Sequence, residues 1–139
     1  MAYCTIADIQ GRISEGDLVR LSDHDGDGAV DDDVVERAIA DACSHIDSYI
    51  QVKYTVPIVP TPPVLRKRAV ILSLYFLQLY RDSVTESIQK AFDEVNKWLT
   101  LVAAGKVELG IDPKPAESSG APGVWYDAKS RVFGRDEPL

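Results

Sequence analysis

The stretch Pro63-Val64-Leu65-Arg66-Lys67-Arg68-Ala69-Val70-Ile71-Leu72-Ser73-Leu74-Tyr75-Phe76-Leu77-Gln78-Leu79-Tyr80 decides the fold of this chain. Pro63 suits the first position of a helix, because its missing N–H costs nothing there. Arg66, Lys67 and Arg68 give the first turns a solvated, charged character. From Ala69 onward nearly every side is apolar, interrupted by Ser73 and Gln78. A helix that is hydrophobic all round sits at the centre of a bundle or at a subunit interface. The run is too short for a bilayer, which takes about 20 apolar residues.

Two amphipathic patterns flank it. Upstream, from Asp33 to about Val52, Val35, Ile39, Ala42, Ile46, Tyr49 and Ile50 recur at helical spacing, with Glu36, Arg37, Asp41, Ser44 and Gln51 largely opposite. Pro57, Pro60, Pro62 and Pro63 separate this helix from the central one. Downstream, Val84, Ile88, Ala91, Phe92, Val95, Trp98, Leu99 and Val102 mark a third long helix, with Glu86/Lys90 and Asp93/Lys97 as i,i+4 pairs and Gly105 placed to end it. Two short helices precede these. Thr5 with Asp8 caps one that carries Ile6, Ile9 and Ile13, and Ser14 with Asp17 caps another that carries Leu18, Val19 and Leu21.

Between the short and long helices runs Asp23-His24-Asp25-Gly26-Asp27-Gly28-Ala29-Val30-Asp31-Asp32-Asp33. An EF-hand-like calcium loop needs oxygens at positions 1, 3 and 5, glycine at 6, an apolar residue at 8 and a bidentate carboxylate at 12. Asp23, Asp25, Asp27, Gly28 and Val30 fit, the Ala29 carbonyl and Asp31 occupy positions 7 and 9, and position 12 is Val34. Water in place of the missing carboxylate implies a weak calcium site. The same residues also make a tight turn and a helix start, with Asp33 and Glu36 as an acidic capping box. No other cofactor is expected.

A chain of 139 residues with 45% hydrophobic and 27% charged side chains is one ordinary globular domain. Its net charge of −7 argues against sequence-specific nucleic-acid binding. Cys4 and Cys43 are too few for a disulfide framework, and reduced thiols are the default. The start, Met1 to Thr5, lacks the charged and apolar regions of a signal peptide, and no membrane association is expected. Beyond Gly105, Val107, Leu109 and Ile111 alternate like a short strand. A Pro/Gly/Ser-rich linker from Asp112 to Gly123 then leads to an aromatic, partly basic end that either folds back on the chain's own core or reaches outward, with Trp125, Tyr126, Val132, Phe133 and Arg135 as candidates for contact with a partner.

The search for catalytic machinery finds no phosphate loop, nucleophile elbow or paired-cysteine motif. His45 lies two residues from Cys43, but a zinc site there lacks further nearby ligands. A hydrolase built on the loop carboxylates needs a cleft that nothing in the sequence indicates. No enzymatic activity is expected.

Tyr3-x-Thr5-x-x-Asp8, Leu21-Ser22-Asp23-x-Asp25-Gly26-Asp27-Gly28, Ile46-Asp47-Ser48-Tyr49-Ile50, Tyr54-Thr55-Val56-Pro57 and Pro62-Pro63-Val64-Leu65 follow one another in an order that resembles a family of small proteins of Mu-like phages and prophages. Lys106-Val107-Glu108-Leu109-Gly110 and Ser130-Arg131-Val132-Phe133-Gly134-Arg135-Asp136 extend the resemblance over essentially the whole chain. It implies a head-tail connector or head-completion role, as a ring beneath the portal, and no catalytic residues.

These readings combine into one expectation. The fold is all-α, a compact bundle of three long and two short helices over residues 1–105. Residues 106–139 add a short strand, linker and extended C-terminal arm. The chain would be a connector subunit at the head-tail junction of the virion, in the host cytoplasm before assembly, with itself, the portal and other junction proteins as partners. An acidic lumen would keep DNA sliding. The alternative is a calcium-type regulatory or interaction module using the Asp23–Asp33 loop.

Overall fold

The computed structural model describes residues 2–111. All regular structure among them is helical: α1 (Ile6–Gln10), α2 (Glu15–Ser22), α3 (Asp32–Ile50), α4 (Pro63–Tyr80) and α5 (Glu86–Ala103). The arm candidates Trp125, Tyr126, Val132, Phe133 and Arg135 lie outside the described residues.

Helix α4 is the centre of the bundle and packs on all four others. Its all-round apolar character is used inward: Leu65, Ala69, Leu72, Ser73 and Leu77 have no solvent exposure, and Leu79 is its one exposed large hydrophobic residue. The two polar interruptions each have a local purpose. Ser73 is fully buried and donates its hydroxyl to the Ala69 carbonyl at 2.8 Å, which satisfies it inside its own helix. Gln78 reaches forward, and its side-chain carbonyl accepts the Thr85 N–H at 3.0 Å. Thr85 in turn caps α5 by accepting the Ile88 N–H, so Gln78 ties the end of α4 to the start of α5.

Helix α3 lays Val35, Ala38, Ile39, Ala42, Ile46 and Ile50 against α4 and α5. It begins two residues before the position suggested by an Asp33/Glu36 box. Asp31 is the N-cap, and its carboxylate accepts the Asp33 N–H at 3.2 Å. The earlier cap prevails because Val34 as well as Val35 belongs to the core, only 5% exposed, and the helix must already be wound there to point both inward. The short helices begin where expected. Thr5 and Asp8 form a reciprocal capping box, and Ser14 accepts the Asp17 N–H.

Helix α5 ends in a Schellman arrangement. Gly105, at φ +79°, lets its own N–H reach the Val102 carbonyl and the Lys106 N–H reach Leu101. The α4 end is built in the same way, with Ser83 N–H on the Gln78 carbonyl, but there the left-handed position is held by Asp82 at φ +52°.

Three expectations are corrected. Val107, Leu109 and Ile111 form no strand, and no strand occurs among the described residues. An all-helical body offers no ladder to join, so Leu109 is buried by side-chain packing and its N–H goes to the Tyr54 hydroxyl at 3.2 Å. Arg68 is half-buried over the Trp98 ring, 5.0 Å from its centroid, rather than solvated with its neighbours. Asp93 accepts from Gln89 Nε2 at 3.1 Å in place of pairing with Lys97, whereas Glu86 and Lys90 do pair, at 3.9 Å.

Candidate functional site

The acidic loop is the most organised exposed feature of the body. Gly26 and Gly28, at φ +79° and +77°, turn the backbone so that successive N–H groups face inward onto one carboxylate. Asp23 Oδ1 accepts the Gly26 and Asp27 amides at 2.8 and 3.1 Å, and its Oδ2 accepts the Gly28 amide at 2.8 Å. These donors, Gly28 foremost, hold the Asp23 carboxyl below the usual range. Asp25 accepts the Asp27 amide, which lowers its pKa, but the neighbouring Asp23 and Asp27 carboxylates and partial desolvation outweigh this and raise it overall. Asp27 accepts the Ala29 amide at 2.9 Å.

Of the predicted ligand set, Asp23, Asp25 and Asp27 come together: one oxygen of each lies within 4.8 Å of the others. Asp31 stands outside that cluster, with its carboxylate engaged as the α3 cap and its N–H on Ser22 Oγ at 3.3 Å. Val34, at the twelfth position, points into the core. The three carboxylates fit a hard cation such as calcium, which takes six to eight oxygens; water and backbone carbonyls would have to supply the remainder.

The other polar residues singled out from sequence serve packing. His45 Nε2 lies 2.6 Å from Asn96 Oδ1, joining α3 to α5, and its ring is set among Tyr49, Phe76 and Phe92. Cys43 faces the other way, where its sulfur accepts the Tyr3 N–H at 3.2 Å. The two therefore do not converge on a metal. Cys4 and Cys43 are both buried free thiols. Desolvation pushes Cys4 up to about 11 and raises Cys43 as well. Neither is an activated nucleophile.

Sequence reasoning missed the tyrosines. Tyr3, 1% exposed, donates to the Asp47 carboxylate and accepts the Ile58 N–H at 3.2 Å, pinning the N-terminal segment to α3 and to the α3–α4 connection. Tyr80 donates to Asp41 from the end of α4. Burial, reinforced by these carboxylates, raises both phenols. Between the Tyr3 segment and α3 lies a cavity of about 750 Å³, bordered by Cys4, Ile6, Ile39, Cys43 and, at its polar edge, Glu36 and Asp47.

The residues that carry the family resemblance are thus mainly those that cap, pin and turn: Tyr3, Thr5 and Asp8 at the start, Asp23 to Gly28 in the loop, Asp47 and Tyr54 at the pins. Comparison with known proteins agrees, because the family model described as Bacteriophage Mu, Gp36 matches residues 3–125. The chain belongs to the Bacteriophage Mu Gp36 family. Within reach of this Gp36 family member is "Gene product J" of Escherichia phage Mu, 29% identical over an alignment covering 99% of this chain and 97% of the relative. "Mu-like prophage FluMu protein gp36" of Haemophilus influenzae is 26% identical over 78% of this chain and 75% of its own length. This Gp36 family chain is a protein of the Mu-like phage group, and no helix among its described residues is long and apolar enough to cross a membrane.

Proposed function

We propose that this Gp36 family protein is a structural adaptor of the virion, a head-tail connector subunit that assembles as a ring below the portal. The observation that carries the reading is the extent of the family match. It runs from Tyr3 through the helical body to Trp125, which supports reading body and arm as one unit of a phage protein. The body suits lateral packing, since its ionisable interior groups are committed to capping and pinning. Its acidity suits a passage for DNA, which an acidic surface repels and leaves free to slide. The arm residues Trp125, Tyr126, Val132, Phe133 and Arg135 would then contact a neighbouring subunit or the portal.

Light scattering and negative-stain imaging of the purified chain, alone at high concentration and with portal, test this. Rings, or decoration of the portal, are expected, and Trp125→Ala with Phe133→Ala should abolish incorporation while leaving the helical content unchanged. A strict monomer that binds neither portal nor tail proteins would refute the connector role.

A second reading rests on the convergence of Asp23, Asp25 and Asp27: the loop takes calcium and serves a regulatory or interaction module. Calcium titration separates the two, because a sensor couples ion binding to a change in the body or its partners, whereas a connector at most uses the ion to staple the loop.

A further inference from the structure

Against an acidic chain, one surface cavity is basic. Arg12, in the turn after α1, converges with Arg66 and Lys67 from the first turns of α4 on a cavity of about 360 Å³ floored by Val70. The one carboxylate on its edge, Asp8, is turned to the capping box, where it accepts the Thr5 N–H and hydroxyl at 2.9 and 3.1 Å. Arg66 and Lys67 are exposed. The ion pairs formed among the described residues are Arg20–Asp17 and Lys90–Glu86, so the three cations of this cavity have no anionic partner there. The mirror situation holds in the acidic loop: Asp25, Asp27, Asp32 and Asp33 are exposed, and no cation of the described residues pairs with them.

We propose that the Arg12–Arg66–Lys67 cavity of one copy receives the Asp23–Asp33 loop of the next. Two different patches on one chain form a heterologous, head-to-tail contact, the class that closes into rings. The inference rests on the ring reading above and names the contact that sets its direction. Within one copy no ion pair among the described residues joins the two patches, which α2, an eight-residue helix, separates along the chain. The exposed Asp25, Asp27, Asp32 and Asp33 match the trio of cations in sign. Duplex DNA is a poorer occupant, because the net charge of −7 repels phosphates around so small a basic patch. Exposed ion pairs of this kind fix orientation and partner choice, and like charges placed across the same contact oppose it.

Charge reversal on the full-length chain tests the pairing, with circular dichroism confirming that each variant folds. Wild-type association, followed by sedimentation velocity in solution or on purified portal, should weaken roughly tenfold or more from about 0.05 to 1 M salt, where the screening length falls to about 3 Å. Arg12→Glu/Arg66→Glu/Lys67→Glu and Asp25→Lys/Asp27→Lys/Asp32→Lys/Asp33→Lys, which reverses the sign of the loop, should each lose assembly alone and regain it when mixed. If either variant assembles like the wild type, or the folded mixture fails to regain assembly, this contact is wrong while the ring stands. If the basic-cavity variant loses duplex binding but keeps self-association, the occupant is nucleic acid and the proposal falls. If the wild-type chain never associates, both this contact and the ring reading fall.

Discussion

Tyr54 Oη accepts the backbone N–H of Leu109 at 3.2 Å, across 55 positions of sequence, and both residues are buried. This bond carries the chain past the end of α5 and back onto the connection after α3. The folded body therefore includes Leu109, four residues beyond Gly105, where helical periodicity ends.

Replacing Tyr54 by Phe keeps the ring and removes the acceptor. The Leu109 amide is then buried without a partner, which costs about 1–3 kcal/mol. Urea denaturation of Tyr54→Phe should show the midpoint lowered accordingly with an unchanged slope. An unaltered midpoint would mean that water reaches the Leu109 amide.

Truncation should discriminate between two boundaries. A chain ending at Asp112 retains every described contact of the body and is expected to keep the full-length helical content and to unfold within a few degrees of it. A chain ending at Gly105 loses the Leu109 side chain, whose burial stabilises by about 2 kcal/mol, and leaves the Tyr54 hydroxyl unpaired. Thermal unfolding followed by circular dichroism should place the second well below the first.

Asp82 holds a left-handed conformation at the end of α4, φ +52°, where a side chain is strained and a negative charge opposes the helix dipole. Asp82→Gly removes both penalties. It should raise stability by about 0.5–1 kcal/mol after the added chain entropy of glycine is subtracted, seen as a higher urea midpoint. A decrease would show that Asp82 makes a compensating contact.

Alkaline pH should destabilise the fold in two stages. Cys4 has an ordinary value of 9.0 and stands at about 11 in the folded chain, because burial disfavours the thiolate. A raised folded pKa gives stability that is complete below 9 and is lost as pH rises from 9 towards 11. Cys43 acts in the same direction, and Tyr3 and Tyr80, raised from 10.0, extend the loss above pH 10. Denaturation midpoints across this range should fall steadily. Cys4→Ala/Cys43→Ala should flatten the first stage only.

For the acidic loop, calorimetry should give weak calcium binding, of order 10⁻⁴ to 10⁻³ M, abolished by Asp23→Ala. Supplying the missing twelfth ligand by Val34→Glu is expected to fail. Val34 is 5% exposed, so the new carboxylate enters the core, where an unpaired charge costs several kcal/mol. The variant should unfold more easily before it binds calcium better.

The order of motifs along the chain carried the phage-family resemblance, and the sequence by itself determined the five helices, the caps at Thr5 and Ser14 and the glycine stop at 105. These depend on local rules: a 3.6-residue period, a hydroxyl three residues from an amide, a proline where no N–H is needed. Even the three-carboxylate cluster was legible, because Asp23, Asp25 and Asp27 lie within one turn of chain. Tertiary structure decided the rest. It set the α3 cap at Asp31, because the burial of Val34 requires the helix to be wound before it. It turned an alternating segment into a packed strap, because the described residues offer no strand edge for it to join. It gave Tyr3, Tyr54 and Tyr80 their partners, and it gathered Arg12 with Arg66 and Lys67. Each of those outcomes depends on which residues, dozens of positions apart, are brought within hydrogen-bonding or van der Waals distance, and periodicity along one helix carries no record of its neighbours.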